Sequence, residues 1–192
     1  MSLTKLTFRI LFTSAIASLT STTSFAFPAF VNQFSEHYST NGIDTSKLVS
    51  EQSCALCHNS VGGGGPRNPY GETFRNDVLL EGKGFEAIEF IDSDGDSFNN
   101  LEEIFLNTAP GLKADAPAAR IGLSVTNGKL SISLPTTCGS FELISFGVKI
   151  DGANQLTKSN VSGVQTLAID GTKGAVLVKC AVERTVGSLL LK

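Results

Sequence analysis

Two short stretches of this 192-residue chain hold side chains at spacings that suit a definite chemistry. The first is "SCALCHN", which gathers Cys54, Cys57 and His58 in a chain that has only four cysteines and two histidines. Cysteines three apart lie about one helical turn from each other, so both sulfurs can add to the two vinyl groups of one porphyrin. A histidine directly after the second cysteine then falls beneath the iron. A Cys-x-x-Cys-His run is therefore read as covalent attachment of one haem c. A zinc knuckle of Cys54, Cys57, His58 and His37 competes with it, but zinc takes four tetrahedral ligands, and adjacent Cys57 and His58 suit that geometry poorly. A redox dithiol of the thioredoxin type needs βαβ surroundings, and the sequence offers none here.

The second stretch is "DSDGDSFNNLEE". Asp92, Asp94, Asp96, the Phe98 carbonyl, Asn100 and Glu103 fall at positions 1, 3, 5, 7, 9 and 12 of a twelve-residue Ca²⁺ loop. Alternate oxygens converge on one hard cation, and the last carboxylate closes the shell with both of its oxygens. Glycine stands at position 4, and Ser97 occupies the position where an EF-hand keeps glycine. The loop thus resembles the DxDGDxxxN loops of dockerins and other exported modules more than a sensor EF-hand. That resemblance implies one structural ion held with a Kd on the order of 10⁻⁴ to 10⁻³ M. The competing reading is an acidic, solvated turn.

Between the two lies "GGGGPRNPYGETF", whose glycines let the backbone approach a flat cofactor closely. With the Cys-x-x-Cys-His run it resembles the corresponding segment of class I c-type cytochromes. The resemblance implies that the Pro66 carbonyl accepts a hydrogen bond from His58, that Arg67 meets a haem propionate, and that Tyr70 and Phe74 wall the pocket. The chain departs from that family at the sixth ligand. Its only methionine is Met1, and no histidine follows His58. His37, on one helical face with Phe30 and Phe34, is the remaining strong ligand; an open iron, Lys83, the new amino terminus and a histidine from another molecule are the alternatives. The glycine segment together with the DSDGD loop also resembles temptin-like domains over residues 54–107, which implies that the calcium loop braces the segment after the haem motif.

The elements that must carry these residues differ between the two halves of the chain. Residues 1–26 read as a signal peptide: Lys5 and Arg9, an apolar run too short to span a bilayer, then Ser24 and Ala26 at a cleavage site. Residues 27–112 pattern as a small, mostly helical cytochrome c-like unit with the calcium loop. Helices are expected in "PAFVNQFSEHY", in "DTSKLVSEQSCALCH" with Asp44 or Thr45 as cap, and as short pieces in "GFEAIEFI" and "NNLEEIFLN". Residues 113–119 read as a linker, and 120–192 alternate apolar and polar residues as a small antiparallel, sandwich-like β domain with a tight turn at Asn127-Gly128. The fold class is α+β. Cys138 and Cys180, alone in the β half of an exported chain, are expected to pair.

The whole chain has 15 Lys+Arg against 18 Asp+Glu, and loss of the leader moves the net charge to about −5. That balance, with no basic stripe, argues against nucleic acid. The sequence thus points to a periplasmic or extracellular monohaem c-type cytochrome that exchanges electrons with redox protein partners. Its β half would dock it to a partner or let copies assemble, and no transmembrane segment is expected in the mature chain. A haem enzyme or gas sensor with an open iron, and a non-redox partner-binding module, are the competing readings.

Overall fold

The computed structural model describes residues 28–52, 54–146, 149–150, 163–171, 173–180 and 184–191; the expected leader and its cleavage site lie outside them. The first helix, α1 (Pro28–Thr40), begins at a proline, whose fixed φ suits a first turn. Its Phe34 and Tyr38 are buried, one turn apart, beside the part-buried Phe30. Aromatic edges dock this face: Phe34 meets Phe85 at 6.0 Å between ring centroids, Phe30 meets Phe74 at 5.6 Å, and Phe74 stacks on Phe85 at 5.5 Å. Helix α2 (Ser46–Gln52) starts where the Asp44 carboxylate accepts the Ser46 N–H at 2.9 Å, one of the two caps the sequence offered.

Helix α3 (Pro69–Thr73) runs on without a break into a π-helical segment, Phe74–Leu80. Asn68 caps it by accepting the Gly71 N–H, and Pro69 follows at the first helical position. The segment "GFEAIEFI" forms a single 3₁₀ turn, Phe85–Ala87, in place of an α-helix. Helix α4 (Asn100–Leu106) opens with a full capping box between Asn99 and Glu102 and ends at Asn107 in the left-handed region.

The β half consists of β1 (Ala119–Arg120), β2 (Gly122–Thr126), β3 (Lys129–Leu134), β4 (Phe141–Phe146), β5 (Lys149–Ile150), β6 (Gly163–Asp170), β7 (Gly174–Cys180) and β8 (Thr185–Leu191). They form two sheets, ordered β1-β8-β7-β4 and β2-β3-β6-β5. All pairs are antiparallel except β1 with β8. The β2–β3 hairpin turns through Asn127 and Gly128, both at positive φ, as a two-residue hairpin requires. Leu130, Ile132, Phe141, Leu167, Val176 and Val178 meet in the core between the sheets. The Cys138–Cys180 disulfide ties the turn before β4 to the end of β7 across 42 residues, a closure that stabilises by about 4 kcal/mol in the chain-entropy model.

Strand β7 shows how the halves join. Ala175, Val176, Leu177 and Val178 are all buried, so the strand has no solvent face. Val176 and Val178 face the second sheet, whereas Leu177, with Val186 of β8, belongs to the helical core of Phe34, Leu101, Ile104 and Phe105. Polar contacts follow the same seam: Lys179 lies over the Phe105 ring at 4.2 Å and donates to the Phe105 carbonyl at 3.2 Å. Residues 113–119, expected as a linker, hold a 3₁₀ turn at Lys113–Asp115 and feed directly into β1. The order is thus helices, sheet, sheet, with a shared inner layer.

Because Leu177 is fully buried between sheet and helices, Leu177→Ala should cost about 2–5 kcal/mol. Urea unfolding followed by far-UV circular dichroism and by tyrosine fluorescence should shift together; a β transition moving alone would show the halves to be independent.

Candidate functional site

Cys54 to His58 form one helical turn, closed by His58 N–H to the Cys54 carbonyl at 2.9 Å and Cys57 N–H to the same carbonyl at 3.2 Å. A single turn is not stable alone, and its terminal carbonyls need donors from elsewhere. Asn68 supplies them. Its Nδ2 donates to the carbonyls of Ala55 at 2.8 Å and Leu56 at 3.0 Å, and its backbone N–H donates to that of Cys57 at 3.1 Å. Gly71 lies so close behind the turn that a Cβ there would stand 2.0 Å from the Cys57 carbonyl oxygen. Both cysteines are free thiols and half-buried. Burial pushes the Cys57 thiol up to about 11.

The glycine loop that follows is closed at its base by an isolated bridge between His58 and Arg67. The Pro66 carbonyl accepts the Asn59 N–H at 3.2 Å, while His58 Nδ1 is buried without a hydrogen-bond partner among the described residues. Arg67 turns outward to Glu72 at 3.3 Å. Tyr70 and Phe74 line a cleft shared with Phe30, Val31, Phe34, Leu56, Cys57 and Phe85. Its walls are almost wholly apolar. Burial first, and then neighbouring charges, raises both the Tyr70 phenol and that of nearby Tyr38, so both keep their protons.

The structure does not bring His37 into this cleft. His37 Nε2 donates to Glu89 Oε1 at 3.0 Å, and its ring lies against Phe85 at 5.1 Å. With Nε2 carrying a proton toward a carboxylate, no lone pair remains there for a metal. Lys83 is likewise held at the surface by Asp77 and Glu81, each at 2.7 Å.

The acidic loop is folded by its own carboxylates. Asp92 accepts the N–H groups of Gly95, Asp96 and Ser97; Asp94 accepts from Asp96; Asp96 accepts from Phe98 at 2.7 Å. Ser97 adopts φ +83°, the left-handed conformation that an EF-hand gives to glycine at this position. Oxygens of Asp92, Asp94 and Asp96 lie within 4.8 Å of one another. Asp94 Oδ2, Asp96 Oδ2, Asn100 Oδ1 and both oxygens of Glu103 are buried without a partner among the described residues. Glu103 is completely buried, and burial followed by the charges of Asp94, Asp96 and Asp92 pushes its carboxyl up to about 10. Asp94 is raised for the same kinds of reason. The three aspartates form a compact oxygen cluster, and the unmet oxygens of Asn100 and Glu103 at the following helix start are of the type a hard cation takes.

Beside it, Glu102 is equally buried but satisfied: it accepts from Asn99 N–H, from Ser188 N–H and Oγ, and from Arg120. Glu102, Ser188, Asn68 and Glu89 carry the geometry, and sequence reasoning passed over all four. Two of them left a readable signal: Asn68 in an Asn-Pro pair fit to start a helix, and Glu102 three residues after Asn99, as in a capping box. No protein-family model, curated protein or solved structure matches the chain.

In a cation-free protein, Glu103 keeps its proton when folded up to about pH 10 but ionises near 4.5 when unfolded. The folded state therefore holds the extra proton between those values, and stability falls as pH rises through that window. In chelator, the Tm measured by scanning calorimetry should drop between pH 5 and pH 8, and Glu103→Gln should flatten that slope.

Proposed function

We propose that this chain is an exported c-type haem protein that passes electrons, with a structural Ca²⁺ in the Asp92–Glu103 loop. The observation that carries the reading is the Cys54–His58 turn itself. It presents Cys57 on an apolar aromatic cleft and leaves His58 Nδ1 buried without a partner among the described residues. The residue types suit a covalent haem, two thiols one turn apart and an adjacent imidazole, and of the three Cys57 alone lines the closed cleft. The space is the harder condition. The cleft holds about 30 Å³, against roughly 300–1,000 Å³ for small-molecule pockets, so a porphyrin would enter only with α1 parted from Phe74 and Phe85.

Cys54 and Cys57 would hold the group by thioethers and His58 would ligate it, which supplies a one-electron couple at a fixed place in the chain. Phe30, Phe34, Phe74 and Phe85, which line the cleft beside Cys57, would exclude water from that couple and lower the local dielectric. Export is supported by the leader-like N-terminus together with the Cys138–Cys180 disulfide. Among the described residues no helix is long and apolar enough to cross a membrane.

The bond from His37 to Glu89 favours a second reading, in which the distal side carries no protein ligand and a small molecule binds there. Expression with a c-type maturation system should yield a protein heavier by one haem, and Cys54→Ala or Cys57→Ala should reduce that attachment. Reduced bands that ignore carbon monoxide and collapse in His37→Ala would support electron transfer with His37 recruited to the iron. Bands that shift under carbon monoxide and are indifferent to His37→Ala would support the second reading. A purified mature chain of purely polypeptide mass with two free thiols removes both.

Calcium is tested separately. At 1 mM and a Kd of about 10⁻⁴ M it should stabilise the fold by about 1.4 kcal/mol. Glu103→Gln should raise the Tm in chelator at pH 8, because it removes the cost of taking up a proton on folding at that pH, while abolishing the rise on adding Ca²⁺. A variant that still responds fully would rule Glu103 out as a ligand.

A further inference from the structure

We infer that Asn68 is the positioning residue of the haem-attachment turn, the element that keeps Cys54 and Cys57 in register for two thioether bonds; this rests on the haem reading above. The turn ends after His58, so the carbonyls of Ala55, Leu56 and Cys57 have no following helical N–H groups to accept. One residue meets all three. Asn68 Nδ2 takes Ala55 and Leu56, and its backbone N–H takes Cys57. Its remaining polar atom, Oδ1, accepts the Gly71 N–H at 2.8 Å and so starts α3. Asn68 thus joins the end of the cysteine turn to the beginning of the helix that carries Tyr70 and Phe74.

The side chain cannot relax out of this role. Asn68 is 3 % exposed. Gly111 packs against its amide so closely that a Cβ there would stand 2.5 Å from Asn68 Cγ. The turn is clamped from behind by directional bonds, while the cleft in front is walled by aromatic rings. Thioether formation adds each S–H across one vinyl group, with hydrogen and sulfur both ending on the porphyrin side chain. Nothing is oxidised or released. The step demands only that both sulfurs reach their vinyl carbons together, which is what a fixed turn provides.

Asn68→Asp separates the two jobs, because it keeps the oxygen that caps α3 and replaces the Nδ2 donors with a carboxylate oxygen facing two carbonyls. In the reduced, haem-free full-length chain, Cys57 of this variant should react with a maleimide about tenfold faster than in wild type. After maturation, most of its haem should be held by one thioether, seen by mass of the haem peptide and as a reduced α-band moved to longer wavelength. The Ca²⁺-induced rise in Tm should remain, since the loop is untouched. If Asn68→Asp does not fold, Asn68→Ser, which keeps a capping oxygen and cannot reach both carbonyls, takes its place with the same expectations. Wild-type thiol rates with wild-type double attachment in the folded variant would overturn the role of Asn68. A wild-type chain that takes up no covalent haem would overturn the haem reading, whatever the thiol rates show.

Discussion

A buried carboxylate must be paired or protonated, and helix α4 carries two in succession that meet this constraint in opposite ways. Glu102 is paired by four donors: the Asn99 and Ser188 N–H groups, the Ser188 hydroxyl and the Arg120 guanidinium. Those donors come from the acidic loop, from β8 and from β1, so one side chain sets the relation of three elements. Glu103 has no donor among the described residues and feels the charges of Asp94 and Asp96, which also leave oxygens unmet. A residue type that costs so much to bury stands here with both oxygens unmet among the described residues. A hard cation bound there, as proposed, would convert that cost into attraction.

The same helix transmits order in the other direction. Asn100 donates its Nδ2 to the Ile88 carbonyl at 2.7 Å and its N–H to that of Ile91, and Leu101 N–H reaches the Glu89 carbonyl at 2.9 Å. The turn held in this way supplies Phe85 to the aromatic cleft and Glu89 to His37. Ser93 of the loop also donates to Thr73 of α3 at 3.2 Å. Asn100 Oδ1 is buried without a partner among the described residues. Asn100 at the end of the acidic loop holds the turn behind the cleft, and Ser93 holds α3, so the two motifs are joined through particular atoms and not merely neighbours in sequence.

What could be read from the sequence was whatever local chemistry dictates. Asn127-Gly128 demanded a tight hairpin, alternation marked the strands, and two cysteines alone in the β half paired. The acidic loop was legible because its carboxylates bond the backbone within the same twelve residues. Three things were not legible. The "NPYGETFRNDVLL" helix was hidden among glycines and prolines, and its start depends on Asn68, whose other bonds reach back more than ten residues. The separation into two halves looked real because Leu177 and Val186 follow the β pattern, while their helical partners lie some 70 residues earlier. His37 shares a face with Phe34, as its spacing implied, but periodicity cannot say that a carboxylate 52 residues away will take its Nε2 proton.

The cleft has one hard wall and one soft wall, and this asymmetry bears on how a large flat group could be accommodated. The hard wall is polar and directional: three carbonyls of the cysteine turn are fixed by Asn68, and Gly71 leaves no gap behind Cys57. Moving it would orphan several buried groups at once, at about 1–3 kcal/mol each. The soft wall is α1, which meets the cleft through Phe30, Val31 and Phe34. Contacts between aromatic rings have preferred geometries but are weaker and more adaptable than buried hydrogen bonds, and a porphyrin face could replace them at similar area. The bond from His37 to Glu89 ties α1 to the turn that supplies Phe85, alongside the ring contacts of Phe34 and Tyr38 with Phe85. A group inserted beside Cys57 would displace α1 and strain these contacts. A neutral His37 parted from Glu89 would be free to present an Nε2 lone pair, so on the proposed haem reading the contact that keeps it out of the closed cleft is also one that an opened cleft would release.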